Sequence, residues 1–342
     1  MSDPAVSHHV AAVPHIEYPP FDPTATLPDD ALIAITFGDA RSRYRDPRLL
    51  RVGLEPLQGF ELMEIWRANG PVRTGQEGLI RYAADVDFLA GVLEIDERHH
   101  GGIVGAAEAA YTAIRGFLSS SSHPHLLRVW NYFDEINGGT GDAERYKQFC
   151  VGRAAGFGVS ATGNYPAATV IGRRDGDPKL QIYWLAGRVA GTAVENPRQT
   201  NPHRYPRQYG PMAPQFSRAM LIANRLVMIS GTASIVGHAS HHPDDLQSQL
   251  NETLHNLGSV LRKAASQAPD IPVELGRRSL LKIYVREPPS LPAVQSIVRE
   301  WLPPETPYIV LAGDVCRADL LVEAECIQGA PFASSTDHSV IE

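Results

Sequence analysis

The chain of 342 residues has 43% apolar and 20% charged residues and a net charge of −7, as expected of a globular protein with a large core and no general affinity for nucleic acid or anionic membrane. Locally placed arginines still allow an anionic ligand. No apolar run approaches the ~20 residues that span a bilayer, the start lacks a basic, then apolar, leader, and Cys150, Cys316 and Cys326 show no paired spacing, so a cytoplasmic protein with reduced thiols is expected.

Residues 1–28, rich in Pro, His and Ala, read as an N-terminal arm. A first domain follows over 29–190, with a strand at 88–95, a helix at 103–118, a strand at 126–133, a helix at 146–155, and strands at 168–172 and 180–185. Residues 191–215 connect it to a second domain over 216–342. There, a strand at 225–230 ends at Gly231, and Asp244 is placed to cap a helix over 246–264. Leu246, Leu250, Leu254, Leu257 and Leu261 recur every three or four residues in that helix, which gives one core-facing stripe. A strand at 280–286, a short helix at 294–301, and strands at 308–312 and 319–326 complete the order. Both halves read strand, helix, strand, helix, strand, strand. The expected fold is α+β, with two tandem layers that each carry a mixed sheet with helices on one face.

The connection is unusual. Residues 195–216 contain five prolines, which preclude long regular elements, and they interleave Tyr205, Tyr209 and Phe216 with Arg198, Arg204 and Arg207. Proline narrows the unfolded ensemble and favours one bound-ready shape. The composition suits the wall of a site and a solvated link equally well. Other constellations carry less. His238, His241 and His242 lack a carboxylate at ligand spacing and read as surface histidines, so no metal is expected. Asp134 and Glu135 read as caps of the next turn. Gly138–Gly141 lacks the lysine and the strand-to-helix context of a phosphate loop.

The stretches QFSRAMLIANRLVMISGTAS, LNETLHNLGSVLRKAA, LLKIYV and LLVEAECI resemble the RidA/YjgF (chorismate mutase-like) family. The resemblance is clear over 214–328 and, by element order alone, over 80–187. It places Glu323 at the family's cleft-facing glutamate. Tyr308 stands where the deaminases of that family carry a substrate-binding arginine, which argues against imine hydrolysis. At the matching place in the first half, Ala167, Ala168 and Gln181 or Ile182 offer nothing ionisable. One complete site is therefore expected, with the first half as its wall.

The whole chain resembles the chorismatases through NYFDEIN, RYKQFCVGRAAGFG, ENPRQTNPHRYPRQYGPMAPQFSRA and VEAE. The resemblance implies an enzyme that needs no cofactor and takes chorismate to pyruvate and a benzoate or dihydrobenzoate. It implies Glu323 as the catalytic acid, and Tyr146, Arg153, Tyr205 and Arg218 as substrate-binding groups. Gly231 and Cys316 fall at positions that mark the 3-hydroxybenzoate-forming subfamily, in which the ring's own 4-hydroxyl attacks, rather than the hydrolytic one, which yields the trans-dihydrodiol acid. The chemistry is compatible with these residues. Protonating an enol ether carbon needs a neutral acid, and an apolar strand context raises a glutamate's pKa. Carboxylates suit arginine forks, and residues 146 and 153 share a helix face at two turns' spacing. A bland alternative pairs Glu323 with Arg317. A RidA-like imine deaminase and a non-catalytic binder of aromatic acids are the competing functions. A monomer is expected, with a trimer as the alternative, and the product suits a starter unit for a secondary metabolite.

Overall fold

A computed structural model describes residues 13–22, 24, 26–38, 46–59, 62–160 and 163–329. Residues 1–12 of the N-terminal arm and 330–342 of the second domain lie outside the described residues. The remainder forms three sheets around a shared core.

The first full unit contains β5 (Arg73–Glu77), β6 (Ile80–Ala84), β7 (Phe88–Asp96), α1 (Ile103–Ser120), β8 (His125–Asp134), α2 (Arg145–Phe157), β9 (Ala167–Arg173) and β10 (Lys179–Gly187). Its strands order as β5-β6-β7-β10-β8-β9, with only β8 and β9 parallel. The second unit repeats this with β11 (Thr192–Val194), β12 (Ala219–Ile222), β13 (Leu226–Ala233), α3 (Leu246–Ala265), β16 (Ser279–Val285), α4 (Leu291–Trp301), β17 (Tyr308–Ala312) and β18 (Val322–Gln328). Here the order is β11-β12-β13-β18-β16-β17, with β16 and β17 parallel. The tandem α+β layers expected from the element order are present, and the parallel pair sits at the same edge in both. A small hairpin of β14 (Ile235–Val236) and β15 (Ala239–Ser240) stands outside them.

A third sheet precedes these units: β1 (His15–Glu17), β2 (Ala31–Phe37), β3 (Leu49–Val52) and β4 (Met63–Arg67), in the order β1-β4-β2-β3. It has the plan of the last four strands of a full unit with both helices deleted, down to the parallel pair β2 and β3. The periodicities of the sequence did not reveal it, because β1 and β3 are only 3 and 4 residues long and leave the apolar seven-residue run of β2 without legible neighbours. Ile16 lies in the arm and is fully buried, because the arm enters the sheet as an edge strand beside β4. The central core draws Ile33, Ile35 and Trp66 from the small sheet, Trp130 and Tyr183 from the first unit, and Met228 and Tyr284 from the second.

Local chemistry accounts for the elements near the cleft. Leu250, Leu254, Leu257 and Leu261 of α3 are buried against the second sheet, each contributing about 1.5–3 kcal/mol. The cap of α3 is Asp245, whose carboxylate accepts from the Ser248 N–H at 3.0 Å. Asp244, the cap expected from sequence, instead adopts a left-handed turn with φ of 60°. In α2, a Cβ on Gly152 or Gly156 would meet a backbone oxygen of α1 at 2.0 or 2.4 Å. These two glycines therefore let the helices touch backbone to backbone, and that contact fixes how far α2 reaches toward the second unit.

Candidate active site

The edge of the first sheet meets the second unit along β9. Ala167 bridges to Ser217 and Gly172 to Asp314. Ser230 Oγ accepts from the Ala168 N–H at 2.9 Å and donates to the Ser217 carbonyl at 2.6 Å. Next to this seam, the pairing of β13 with β18 slips by one residue between Ile229 and Thr232. The bulge frees the Gly231 N–H from the ladder, and it donates to Thr169 Oγ1 of the first unit at 2.9 Å. Bulges of this kind re-aim side chains beside active sites.

Above the bulge lies a cleft of about 170 Å³. Its floor is Gly231 and Glu323. One wall is Tyr146 of α2, another is Cys316 and Arg317 of the loop before β18, and a third is Tyr205, Tyr209 and Phe216 of the Pro-rich segment, with Arg218 just before β12. Five of the six residues that the resemblance marked for the site besides Glu323 therefore converge on it: Tyr146, Tyr205, Arg218, Gly231 and Cys316. Arg153 does not line the cleft. It is 3% exposed and its guanidinium lies 4.9 Å from the centre of the Tyr111 ring, with Nε and Nη2 lacking hydrogen-bond partners. The close α1–α2 contact turns this part of the helix face inward.

Glu323 is 5% exposed. Burial, then the negative charge of Glu325, push its pKa up to about 8 against the pull of Arg128 and Arg218. Its carboxyl forms no ion pair among the described residues. Arg317, the partner that the bland alternative gave it, is turned away. Arg317 stacks 4.0 Å from the centre of Tyr209 and donates to the His238 carbonyl and Ser240 Oγ at 3.0 and 3.1 Å. The carboxyl stands in the space a side chain at 231 would need: a Cβ there would meet Glu323 Oε1 at 1.9 Å. Gly231 thus makes room for the acid itself.

Glu323 remains uncompensated because the cations nearby are committed elsewhere. Glu325, two residues along the same strand face, accepts from Arg128 Nη2 at 2.8 Å, Trp130 Nε1 at 2.8 Å and Thr169 Oγ1 at 2.5 Å, and lies 3.3 Å from Lys282 Nζ. Lys282 also pairs with the fully buried Glu64 at 2.7 Å, and Tyr18 and Trp66 donate to Glu64 at 2.6 Å each. Two buried carboxylates and two buried cations close a network across all three sheets. Burial opposes ionisation of Glu325, but Lys282 and Arg128 outweigh it and hold its pKa down. A fixed anion therefore stands beside a protonated acid, a pairing that separates two carboxyl pKa values. Glu325→Gln is expected to lower the pKa of Glu323 and move the alkaline limb of any Glu323-dependent activity to lower pH by about one unit. An unmoved limb in the folded variant would remove Glu325 from this role.

Arg218 is 2% exposed and donates through Nη2 to Tyr205 OH at 2.6 Å and the Thr200 carbonyl at 3.1 Å. Tyr209 OH meets His238 Nδ1 at 3.1 Å, and Arg207 ties the segment to Asp142 through an exposed pair. Burial, then Glu323, push the Cys316 thiol up to about 12. It is a neutral, weak donor and not a thiolate nucleophile. Tyr146, half-buried, is raised by burial and is likewise a neutral donor. At the matching place in the first unit, Gln181 is spent on the Arg51 carbonyl and Glu94, both at 2.9 Å. Among the described residues, no group of three or more His, Cys, Asp or Glu side chains could hold a metal ion, and no helix is long and apolar enough to cross a membrane. Sequence reasoning missed Thr169, Arg128, Glu325 and the placement of Arg317. The available signal was charge inside strands that otherwise read as core, at Arg128, Lys282 and Glu325.

Two tandem α+β layers bring a glutamate whose pKa is raised to about 8 and a buried arginine to one cleft, an arrangement suited to acid–base chemistry on a small anionic molecule. Residues 64–186 match the family model described as chorismatase FkbO/Hyg5-like, N-terminal. A 3-hydroxybenzoate synthase of Streptomyces hygroscopicus is 36% identical over 277 residues, covering 77% of this chain and 80% of that protein. A chorismatase of Streptomyces rapamycinicus is 36% identical over 283 residues with the same coverage. A chorismatase crystal structure superposes with a TM-score of 0.83 at 29% identity, over 93% of this chain and 99% of that one. The chain belongs to the chorismatase family.

Proposed function

We propose that this enzyme converts chorismate to 3-hydroxybenzoate and pyruvate, and that Glu323 is the acid that starts the reaction. The observation that carries this reading is the Glu323 carboxyl, buried, held neutral and free of ion pairs at the floor of the cleft. It gives its proton to the terminal methylene carbon of the enol ether, leaving an oxocarbenium-like centre in the side chain. The ring's 4-hydroxyl attacks C3, the C3–O bond breaks, and pyruvate leaves as the keto acid. The proton shed by the 4-hydroxyl balances the one Glu323 gave up. Opening of the resulting arene oxide restores the aromatic ring as the phenol. The sum of the atoms is unchanged, so no oxidant, reductant or water is consumed.

Arg218, with Tyr205 hydrogen-bonded to it, is the donor pair for one substrate carboxylate. Tyr146 is a neutral donor on the opposite wall, and Arg153, packed over Tyr111 outside the cleft lining, has no role in holding the substrate. Exclusion of water by Tyr205, Tyr209 and Phe216 favours the intramolecular nucleophile, and the neutral Cys316 thiol can donate to the oxygen released when the epoxide opens. The 36% identity to a protein named for 3-hydroxybenzoate supports the product. The small third sheet closes the core within one chain, which supports a monomer, and three free cysteines suit the cytoplasm. The test is chromatography after incubation with chorismate, with 3-hydroxybenzoate and equimolar pyruvate as the expected products. A dihydrodiol acid would replace the intramolecular route with hydrolysis, and absence of pyruvate would remove the activity altogether.

A further inference from the structure

Arg218 has a neighbour that the reaction does not use. β11 runs antiparallel to β12, with Thr192, Ala193 and Val194 opposite Leu221, Met220 and Ala219. One step further in that register sets Glu195 opposite Arg218, and residues directly opposite each other project from the same face of a sheet. Glu195 Oε2 is buried without a hydrogen-bond partner, and so is Arg218 Nε. The Glu195 carboxyl is otherwise engaged by the Arg218 backbone N–H and the Ser217 side chain, and the Ser217 hydroxyl also donates to the Tyr165 carbonyl at 2.6 Å. The pair is therefore adjacent but not closed, and the Nη2 end of Arg218 is held toward the cleft by Tyr205 and Thr200.

We propose that Glu195 is a positioning residue for Arg218, steadying the guanidinium while the cleft is empty and taking up one proton from solvent when the substrate carboxylate takes the guanidinium over. This rests on the reading of Arg218 as the carboxylate donor. A second anion brought to one buried cation is costly unless one of the two carboxyls becomes neutral. Burial already pushes Glu195 up to about 7, against the pull of the Arg218 charge, the hydrogen bonds from the Arg218 backbone and the Ser217 side chain, and the charge of Arg204 in the Pro-rich segment. A bound anion raises it further, and the sign follows from this. Below neutrality Glu195 is already protonated and binding takes up nothing. Above it each binding event takes up a proton, and affinity falls by about tenfold per pH unit.

The test is calorimetry of chorismate binding to the Glu323→Gln protein, in which the other titrating carboxyl is gone, in two buffers of different ionisation enthalpy. At about pH 8, uptake of about one proton per site is expected. Adding Glu195→Gln should abolish both the uptake and the loss of affinity with pH, and Glu195→Asp should restore them. In the active enzyme the same contrast is read as KM, which rises with pH in the parent and stays flat in Glu195→Gln, with kcat moving less. Equal proton uptake with Gln at 195, or no uptake by the Glu323→Gln protein, would overturn the proposal while chorismate turnover stands. No binding together with no pyruvate from the wild-type enzyme would overturn the chorismate reading, and this proposal with it.

Discussion

Glu323→Gln is expected to lower kcat on chorismate by about 10³-fold or more, the loss typical when a positioned acid is removed, while chorismate still binds. The amide keeps the shape of the neutral carboxyl and holds no transferable proton. Arg218, Tyr205 and Tyr146 are untouched by the change, so binding persists and should be visible as a ligand-dependent rise in melting temperature. The wild-type pH profile follows from the same group. An acid works in its protonated form, and with Glu323 raised to about 8 activity should hold across neutrality and decline as pH rises through that value. Pyruvate release by the variant near the wild-type rate, or a profile that rises through pH 8, would take the acid role from Glu323.

Gly231→Ala is expected to cost about 10²-fold in kcat/KM, the scale of a displacement of about 1 Å at a reacting group. The added methyl would sit 1.9 Å from Glu323 Oε1, far inside contact distance, so either the carboxyl swings away or the bulge flattens. Flattening would break the Gly231 N–H to Thr169 hydrogen bond and loosen the seam between the units. The two responses separate experimentally. A displaced carboxyl lowers kcat with little change in melting temperature, whereas a lost seam lowers both. The resemblance tied Gly231 to the choice of product. A variant that retains kcat but changes the ratio of products would return the residue to that role.

Much of this protein was legible in its sequence, for reasons that differ by residue. The leucine stripe of α3 and the apolar strands at 126–133 and 280–286 declare themselves because burial of one helix face or a whole strand dictates residue type at a fixed period. The repetition of the two units followed from those periods. The third sheet escaped because β1 and β3 are only 3 and 4 residues long, too short for any period to show. Asp245 replaced Asp244 as the cap because adjacent aspartates are equivalent in sequence, and only the backbone path decides which one reaches the Ser248 N–H.

For the site, the division is sharper. The sequence by itself determined which chemistry-bearing types are present, and the resemblance implied that Glu323, Gly231, Cys316, Tyr146, Tyr205, Arg218 and Arg153 share one site, of which all but Arg153 line the cleft. It could not determine their electrostatics. Whether Glu323 is ionised depends on Glu325, held as an anion by Lys282 and Arg128, and on Arg128 itself, which lies 195 positions away by residue number. It also depends on a one-residue bulge that brings Thr169 beneath Gly231. Pair energies of this kind scale with distance and burial, not with separation along the chain. The tertiary structure alone therefore turned a glutamate in an apolar strand into a protonated acid, and turned Arg317 away from it.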